Sequence, residues 1–302
     1  MSNTTVTFSG RRLVLSNLDK VLYPSADFTK AQVIDYYLSI APVLMPHLKN
    51  RPLTLKRYPN GVESSFFYEK RCPSHRPQWL ATTPVWSERS EQAIDFCVIN
   101  GRAALAWVAN LASIELHTYL FRAENLERPT MVAFDLDPGE GMNTADCARL
   151  ALRLRELLLE RQLQSLAKTS GGKGLHIYVP LNTAGATFDH SKAFARDMAR
   201  ELERQTPATV TSNMRKDLRR GRIFVDWSQN DDHKTTVCVY SLRARTRPTV
   251  STPVTWDEVE QAAANNDPDA LHFEAADVLE RATARGDLFL PVLKLRQKLP
   301  KA

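Results

Sequence analysis

Met131-Val-Ala-Phe-Asp-Leu-Asp-Pro138 is an apolar, strand-like stretch interrupted at two alternate positions by carboxylates. Side chains alternate faces along a strand, so Asp135 and Asp137 share one face and Leu136 takes the other. Two carboxylates on such a strand are costly unless a cation or a hydrogen-bond network compensates them. Their oxygens suit hard ions such as Mg²⁺ or Mn²⁺, which in turn organise phosphates. A second apolar strand, Arg222-Ile-Phe-Val-Asp-Trp227, carries a third carboxylate, Asp226. Between them lies Thr169-Ser-Gly-Gly-Lys-Gly-Leu-His176, whose small, cationic and hydroxyl residues suit a triphosphate. On its own this loop also fits a hairpin turn, and it lacks the GK[ST] ending of a P-loop. Carboxylates for metal, a phosphate loop and a further carboxylate form the layout of a nucleotidyl-transfer site.

The surrounding periodicity alternates α and β. Thr29 reads as the N-cap of a helix over 30–48, with Ala31, Ile34, Leu38, Ala41, Met45 and Leu48 at helical spacing and Pro42 expected to kink or shorten it. Strands are expected over 53–58 and 65–69 around the Pro59-Asn60-Gly61 turn, and over 94–99. Helices are expected over 102–116, 144–163, 189–205, 256–264 and 273–285, and strands near 165–168, 176–180, 223–227 and 235–240. The fold class is therefore α/β (α+β). The aspartate strands and the 235–240 strand are expected in one mixed sheet with helices on one side, preceded by a separate, smaller N-terminal lobe. Residues 1–302 read as a single domain with subdomains of about 1–125 and 126–302.

Of 302 residues, 43% are hydrophobic and 25% charged, which is ordinary for a globular chain. No apolar run approaches the ~20 residues of a membrane-spanning helix, and the N-terminus lacks a secretory pattern. The formal net charge of +6 favours a polyanionic partner. Its distribution matters more: the stretches 214–222 and 241–247, which include Arg215, Lys216, Arg220, Arg243 and Arg245, bracket Asp226. Cys72, Cys97, Cys147 and Cys238 are scattered without a CxxC pair, which predicts a reduced cytosolic interior and no disulfide framework. Cys72 and His75 alone do not make a tetrahedral zinc site.

These motifs resemble those of the archaeo-eukaryotic primase superfamily: Asp135-Leu-Asp137, Ser170-Gly-Gly-Lys-Gly-Leu-His176 and Asp226. Leu18-Asp-Lys-Val-Leu-Tyr-Pro24, Arg51-Pro-Leu-Thr-Leu-Lys-Arg-Tyr-Pro-Asn-Gly61, Phe134-Asp-Leu-Asp-Pro-Gly-Glu-Gly141 and Phe224-Val-Asp-Trp-Ser-Gln-Asn230 extend the resemblance to the polymerase domain of bacterial DNA ligase D. It spans about Leu13 to Trp256. The resemblance implies an RRM-like catalytic sheet with a more irregular N-terminal module. It also implies DNA and RNA polymerase activity, with ribonucleotides preferred, in non-homologous end joining.

It implies site roles as well. Asp135, Asp137 and Asp226 would hold two divalent ions, Mn²⁺ or Mg²⁺, with His117 close by. Ser170, Gly171, Gly172, Lys173, His176, Arg243 and Arg245 would contact the incoming NTP or dNTP, the two arginines from one face of a strand, and Gln229 would support Asp226 or bind the nucleotide. Asn17, Lys20 and Lys30 match a pocket for the 5′-phosphate downstream of a gap. Lys56 and Arg57 suit template phosphate or a solvated edge, and Phe66 and Phe67 suit base stacking or one core and one exposed position. Implied partners are DNA with broken, gapped or overhanging ends, ligase and nuclease domains of the same polypeptide, and a Ku homologue, in a bacterial cytoplasm at the nucleoid. No ligase or nuclease motif is visible, so the chain reads as an excised domain or a stand-alone homologue, with 293–298 a candidate linker. Two other functions fit parts of the pattern: a metal-dependent nuclease and a non-catalytic DNA-end binding module.

Overall fold

Met131–Pro138 forms a strand, as its alternation predicts. In the computed structural model, which describes residues 3–8 and 10–300, it lies inside a six-stranded sheet. The strand order is Val210–Thr211, Ile223–Asp226, Met131–Pro138, Leu175–Pro180, Leu166–Thr169 and Pro253–Val254. The first pair is parallel and the others antiparallel, giving the expected mixed sheet. Val132, Phe134, Leu136, Ile177, Val179 and Val225 form one buried face. Against it pack Leu150, Leu154 and Leu158 of helix Thr144–Glu160, Met198 and Leu202 of helix Phe188–Gln205, and Val259 and Ala262 of helix Trp256–Asn265. Each large apolar side chain so buried contributes roughly 1.5–3 kcal/mol. A one-residue slip would turn that set to the other face, so this packing also fixes where Asp135 and Asp137 point.

This sheet belongs to a unit made of Leu120–Lys234, Ser251–Phe273 and Asp287–Ala302. A second unit takes Met1–Tyr119, Thr235–Val250 and Glu274–Gly286. Its main sheet is ordered Thr236–Val237, Ser113–Thr118, Pro52–Arg57, Gln92–Val98 and Thr82–Ser87, with Phe67–Glu69 also paired to Pro52–Arg57. Helix Lys30–Leu48 starts at Thr29 in a capping box with Gln32. It runs through Pro42 and Pro46 without being shortened. Its buried face is rotated from the expected one because Tyr36 and Tyr37 turn inward, their hydroxyls donating to Tyr240 O (2.9 Å) and Ile114 O (2.5 Å). No helix of the described residues is long and apolar enough to cross a membrane.

Four expectations are corrected. Thr236–Val237 pairs with Thr118 and His117 in the second unit's sheet, not with the aspartate strands. The helix expected over 102–116 stops at Asn110, and Ser113–Thr118 is a strand. Leu111 closes the helix, Ala112 turns with φ +57°, and His117 therefore lies on a strand. Apolarity hid the change, since Ala103–Ala109 and Ile114 are all buried. Cys72 and Cys97 form a disulfide, leaving only Cys147 and Cys238 as thiols. The loop bearing Cys72 lies along strand Gln92–Val98, with Cys72 N–H donating to Asp95 O at 2.7 Å, and pairing removes Cys72 as a zinc ligand. Finally, the candidate linker is docked: Gln297 donates to Gln164 O (3.0 Å) and Pro180 O (2.9 Å).

Alkylation of the non-reduced, denatured protein should therefore label Cys147 and Cys238 only, as read by mass spectrometry. Labelling of all four cysteines would contradict the pairing. Removing the crosslink should lower stability by about 2–4 kcal/mol in urea unfolding.

Candidate active site

In the first unit, Asp226, Asp135, His176 and Lys168 are register partners in one row across four adjacent strands. Like charges directly opposite destabilise a sheet by a few tenths to about 1 kcal/mol, so the Asp135–Asp226 pair needs compensation. It has compensation on both sides. His176 Nε2 lies 3.2 Å from Asp135 Oδ1. The fully buried Lys168 places Nζ 3.0 Å from His176 Nδ1 and donates to Ser251 Oγ at 2.6 Å. Since the ammonium has only protons to offer, Nδ1 accepts and Nε2 carries the proton toward Asp135. Ser251 Oγ–H in turn donates to Thr169 O (2.8 Å), the residue before the phosphate loop.

Asp226 is oriented from its own turn. Oδ1 accepts from Ser228 N (2.9 Å) and Ser228 Oγ (2.6 Å), and Oδ2 from Gln229 Nε2 (2.9 Å). Gln229 thus supports the third carboxylate. Asn230, fully buried, exchanges hydrogen bonds with Ala133: Oδ1 accepts from its N–H (2.8 Å) and Nδ2 donates to its C=O (2.7 Å). The side chain continues the ladder where strand Ile223–Asp226 has ended.

In the phosphate loop, Ser170 Oγ accepts from Gly172 N (3.2 Å) and Gly174 N (3.1 Å), and Ser170 N donates to Gly174 O (2.9 Å). Thr144 Oγ1 ties Lys173 O to the helix start at 3.1 Å. Gly171 adopts φ +72°. Gly174 serves packing: a Cβ there would sit 2.5 Å from Leu136 O. Lys173 is exposed. Among the basic residues near Asp226, Arg215 pairs with Asp217 (2.6 Å) and Arg220 with Glu140 (3.7 Å), and Lys216 is exposed. Arg219 stacks on Phe224 (3.8 Å) and reaches 3.7 Å from Asp137 Oδ2.

Three carboxylates on one sheet face are a hard-oxygen donor set that fits a divalent cation such as Mg²⁺ or Mn²⁺. Asp137 is 59% exposed and Asp135 28%, so the set faces outward. Among the described residues, the three metal-ligating side chains gathered within 4.8 Å of one another are Asp231, Asp232 and His233, not the trio. There, Lys192 already pairs with Asp231 (2.7 Å). An ion at the trio would draw its oxygens together.

In the second unit, Glu115 is a hub. His117 Nε2 lies 2.9 Å from Oε2, Arg243 Nε 3.3 Å from Oε2 and Lys56 Nζ 3.4 Å from Oε1, and Ala244 N donates to Oε1 at 3.1 Å. Burial pushes the Glu115 carboxyl up, but His117 and the charges of Arg243 and Lys56 hold it far below the usual carboxylate range. Burial lowers the His117 pKa against the pull of Glu115. Lys56 Nζ sits over the rings of Phe66 (4.3 Å), Tyr58 (5.3 Å) and Tyr68 (5.7 Å). Phe66 and Phe67 are both exposed, so neither is a core residue. Strand Pro52–Arg57, to which Phe67–Glu69 pairs, is interior to the sheet, so Lys56 and Arg57 are not on a solvated edge. Arg243 and Arg245 lie in a loop closed by the Leu242–Val250 bridge, not on one strand face, and Arg245 is exposed.

Asn17, Lys20 and Lys30 line one cavity of about 560 Å³ together with Arg12, Arg57 and His75. Lys30 Nζ donates to Ser16 O (2.6 Å), and Lys20 Nζ to Asn60 Oδ1 (2.9 Å). Lys30 is pushed down to about 8, by burial first and then by the charges of Lys20 and Arg57.

Residues 29–289 match the family model described as LigD, primase-polymerase domain. The chain belongs to that family. Its members are nucleotidyltransferases of the primase-polymerase type. A multifunctional non-homologous end joining protein LigD from Mycolicibacterium smegmatis is 43% identical over 287 residues, covering 93% of this chain and 36% of the relative. A bifunctional LigD from Bacillus subtilis is 29% identical over 251 residues, covering 83% of this chain and 40% of the relative. The chain thus spans little more than a third of these relatives' length. The solved polymerase domain of Mycobacterium tuberculosis ligase D, in complex with DNA, superimposes with a TM-score of 0.86 at 40% identity, covering 93% of this chain and 98% of that one.

Lys168, Ser228, Asn230, Arg219 and Glu115 were not singled out by sequence reasoning. Lys168 and Glu115 had a signal: a charge inside an apolar strand or run, the same feature that exposed Asp135. Asn230→Ala would strand the buried Ala133 N–H and C=O, so urea denaturation should show a loss of about 2–4 kcal/mol. A loss within error of wild type would mean that Asn230 is not the ladder's extension.

Proposed function

We propose that residues 1–302 act as one primase-polymerase domain that adds nucleotides, ribonucleotides preferred, to template-paired primer 3′ ends at gaps and double-strand breaks. The observation that carries this is the Asp226–Asp135–His176–Lys168 row, joined through Ser251 and Thr169 to the start of the phosphate loop. Asp135, Asp137 and Asp226 would hold two Mn²⁺ or Mg²⁺ ions. Such ions, when bound, lower the pKa of a primer 3′-hydroxyl and neutralise charge on departing pyrophosphate.

The chain's own groups bind and orient. His176 holds Asp135 through its protonated Nε2, and Gln229 and Ser228 fix Asp226. Lys173 and the amides of the Ser170–Gly174 loop are assigned to the triphosphate, as are Arg243 and Arg245, and His117 is assigned a catalytic role. Arg215, Lys216 and Arg220 are assigned to DNA phosphates. Phe66, exposed and packed on Tyr58 and Lys56, is suited to stack on a template base, with Phe67 beside it.

The cavity of Asn17, Lys20 and Lys30 is assigned to a downstream 5′-phosphate. Lys30 is depressed by burial first and then by the charges of Lys20 and Arg57, and three such cations around one cavity favour an anion among them. We extend Arg57 to this pocket, since it lines the cavity. The relatives' names and the DNA-bound neighbour support a role in non-homologous end joining. We extend that reading to ligase and nuclease activities on the same polypeptide, a Ku homologue as partner, and the bacterial cytoplasm at the nucleoid.

On a gapped duplex with a downstream 5′-phosphate, Mn²⁺ or Mg²⁺ and each NTP and dNTP, templated extension is expected. Asp137→Ala or Asp226→Ala should lower it by about a hundredfold or more while DNA binding is retained. Shortened product would indicate a nuclease, and binding without reaction an end-binding module.

Lys30 loses its charge as pH rises through about 8. Preference for a 5′-phosphate over a 5′-hydroxyl end should therefore be full below that pH and fall above it. A preference unchanged from pH 7 to pH 9, measured by gel-shift competition, would remove Lys30 from the pocket.

A further inference from the structure

We propose that Glu115 is a positioning residue whose carboxylate locks His117 in the tautomer protonated on Nε2 and fixes the directions of Lys56 and Arg243. The roles of those three partners rest on the polymerase reading above; the tautomer does not.

An ionised carboxylate can only accept hydrogen bonds, so the 2.9 Å contact from His117 Nε2 to Glu115 Oε2 requires the imidazole proton on Nε2. In a neutral ring Nδ1 is then the acceptor. Burial favours the neutral ring and lowers the His117 pKa. Glu115 is 2% exposed, whereas the side chains of Lys56, His117 and Arg243 are 14%, 14% and 15% exposed. The anion thus lies at the base of the cluster, and its three partners run from it toward the surface.

The strand geometry makes this placement obligatory. Glu115 and His117 are two residues apart on Ser113–Thr118 and share a face, and Lys56 is the cross-strand partner of Glu115. Arg243 comes from the loop closed by the Leu242–Val250 bridge, where Ala244 N–H also donates to Glu115. One carboxylate therefore joins two adjacent strands and a distant loop. Taking a carboxylate out of water costs several kcal/mol unless its lone pairs are satisfied, and here Lys56, His117 and Ala244 N–H donate to it while the Arg243 guanidinium adds an ion pair.

The first test needs no variant and no substrate. Long-range ¹⁵N–¹H NMR of wild-type protein should show His117 with a protonated Nε2 and a bare Nδ1; the opposite tautomer overturns the proposal. The second uses Glu115→Gln, which keeps the shape and removes the charge. It should lose the fixed tautomer and raise KM for the nucleotide by about 10- to 100-fold, the worth of a charge-assisted hydrogen bond, with kcat changed less and Tm little changed. Because Glu115 acts partly through Arg243, the losses in Glu115→Gln with Arg243→Ala should be less than additive. Additive losses, or a Glu115→Gln enzyme with wild-type KM and tautomer, would refute positioning. The tautomer is read without nucleotide, so it decides the matter even where primer extension fails.

Discussion

The structure of the catalytic sheet depends on keeping Asp135 and Asp226 side by side on adjacent strands. Left alone, the pair would push the strands apart or shift their register. It is held from both flanks: His176, Lys168 and Ser251 on one side, Ser228 and Gln229 on the other. From behind, Leu136 and Val225 are register partners in the hydrophobic core, so the same pairing that opposes the carboxylates is locked by apolar packing. Asn230 then takes over the ladder at Ala133. The electrostatic cost of the site is carried by a core that cannot slip without exposing its own leucines and valines.

Much of this was legible because strands report orientation with a period of two. Asp135, Leu136 and Asp137 declared their faces in the sequence alone, and the Gly-rich loop and Asp226 followed at readable positions. The Thr29 cap and the hairpin about Pro59-Asn60-Gly61 were equally plain, since their chemistry is local. What could not be read depended on distant chain. Arg102 to Leu116 is apolar and buried throughout, so it carries no periodic contrast, and only the turn at Ala112 separates helix from strand. Thr236–Val237 sits in the second unit's sheet through pairing with Ser113–Thr118. Cys72 and Cys97, 25 positions apart, pair because a loop lies along a strand, a relation that spacing does not encode. The chain's returns to the second unit at Thr235–Val250 and Glu274–Gly286 have no compositional mark either.

The two carboxylate centres differ in how their oxygens are satisfied. Glu115 is buried, accepts hydrogen bonds from His117, Lys56 and Ala244 N–H, and lies far below the ordinary carboxylate range because His117 and the charges of Arg243 and Lys56 stabilise its charge. Such a group has spent its lone pairs on protein and serves as an anchor. Asp137 is mostly exposed, and Asp135 partly so, with oxygens directed away from the core. Asp226 is steadied by Ser228 and Gln229, neutral donors that orient a carboxylate without cancelling its charge. Lys168 reaches Asp135 through the imidazole of His176, which transmits orientation with the ammonium at one remove. A carboxylate paired directly with an ammonium would have little charge left for a divalent ion. In the proposed reading, the intervening imidazole at Asp135 and the neutral amide and hydroxyl donors at Asp226 leave those two carboxylates their charge for an ion, and Asp137 meets the Arg219 guanidinium at 3.7 Å.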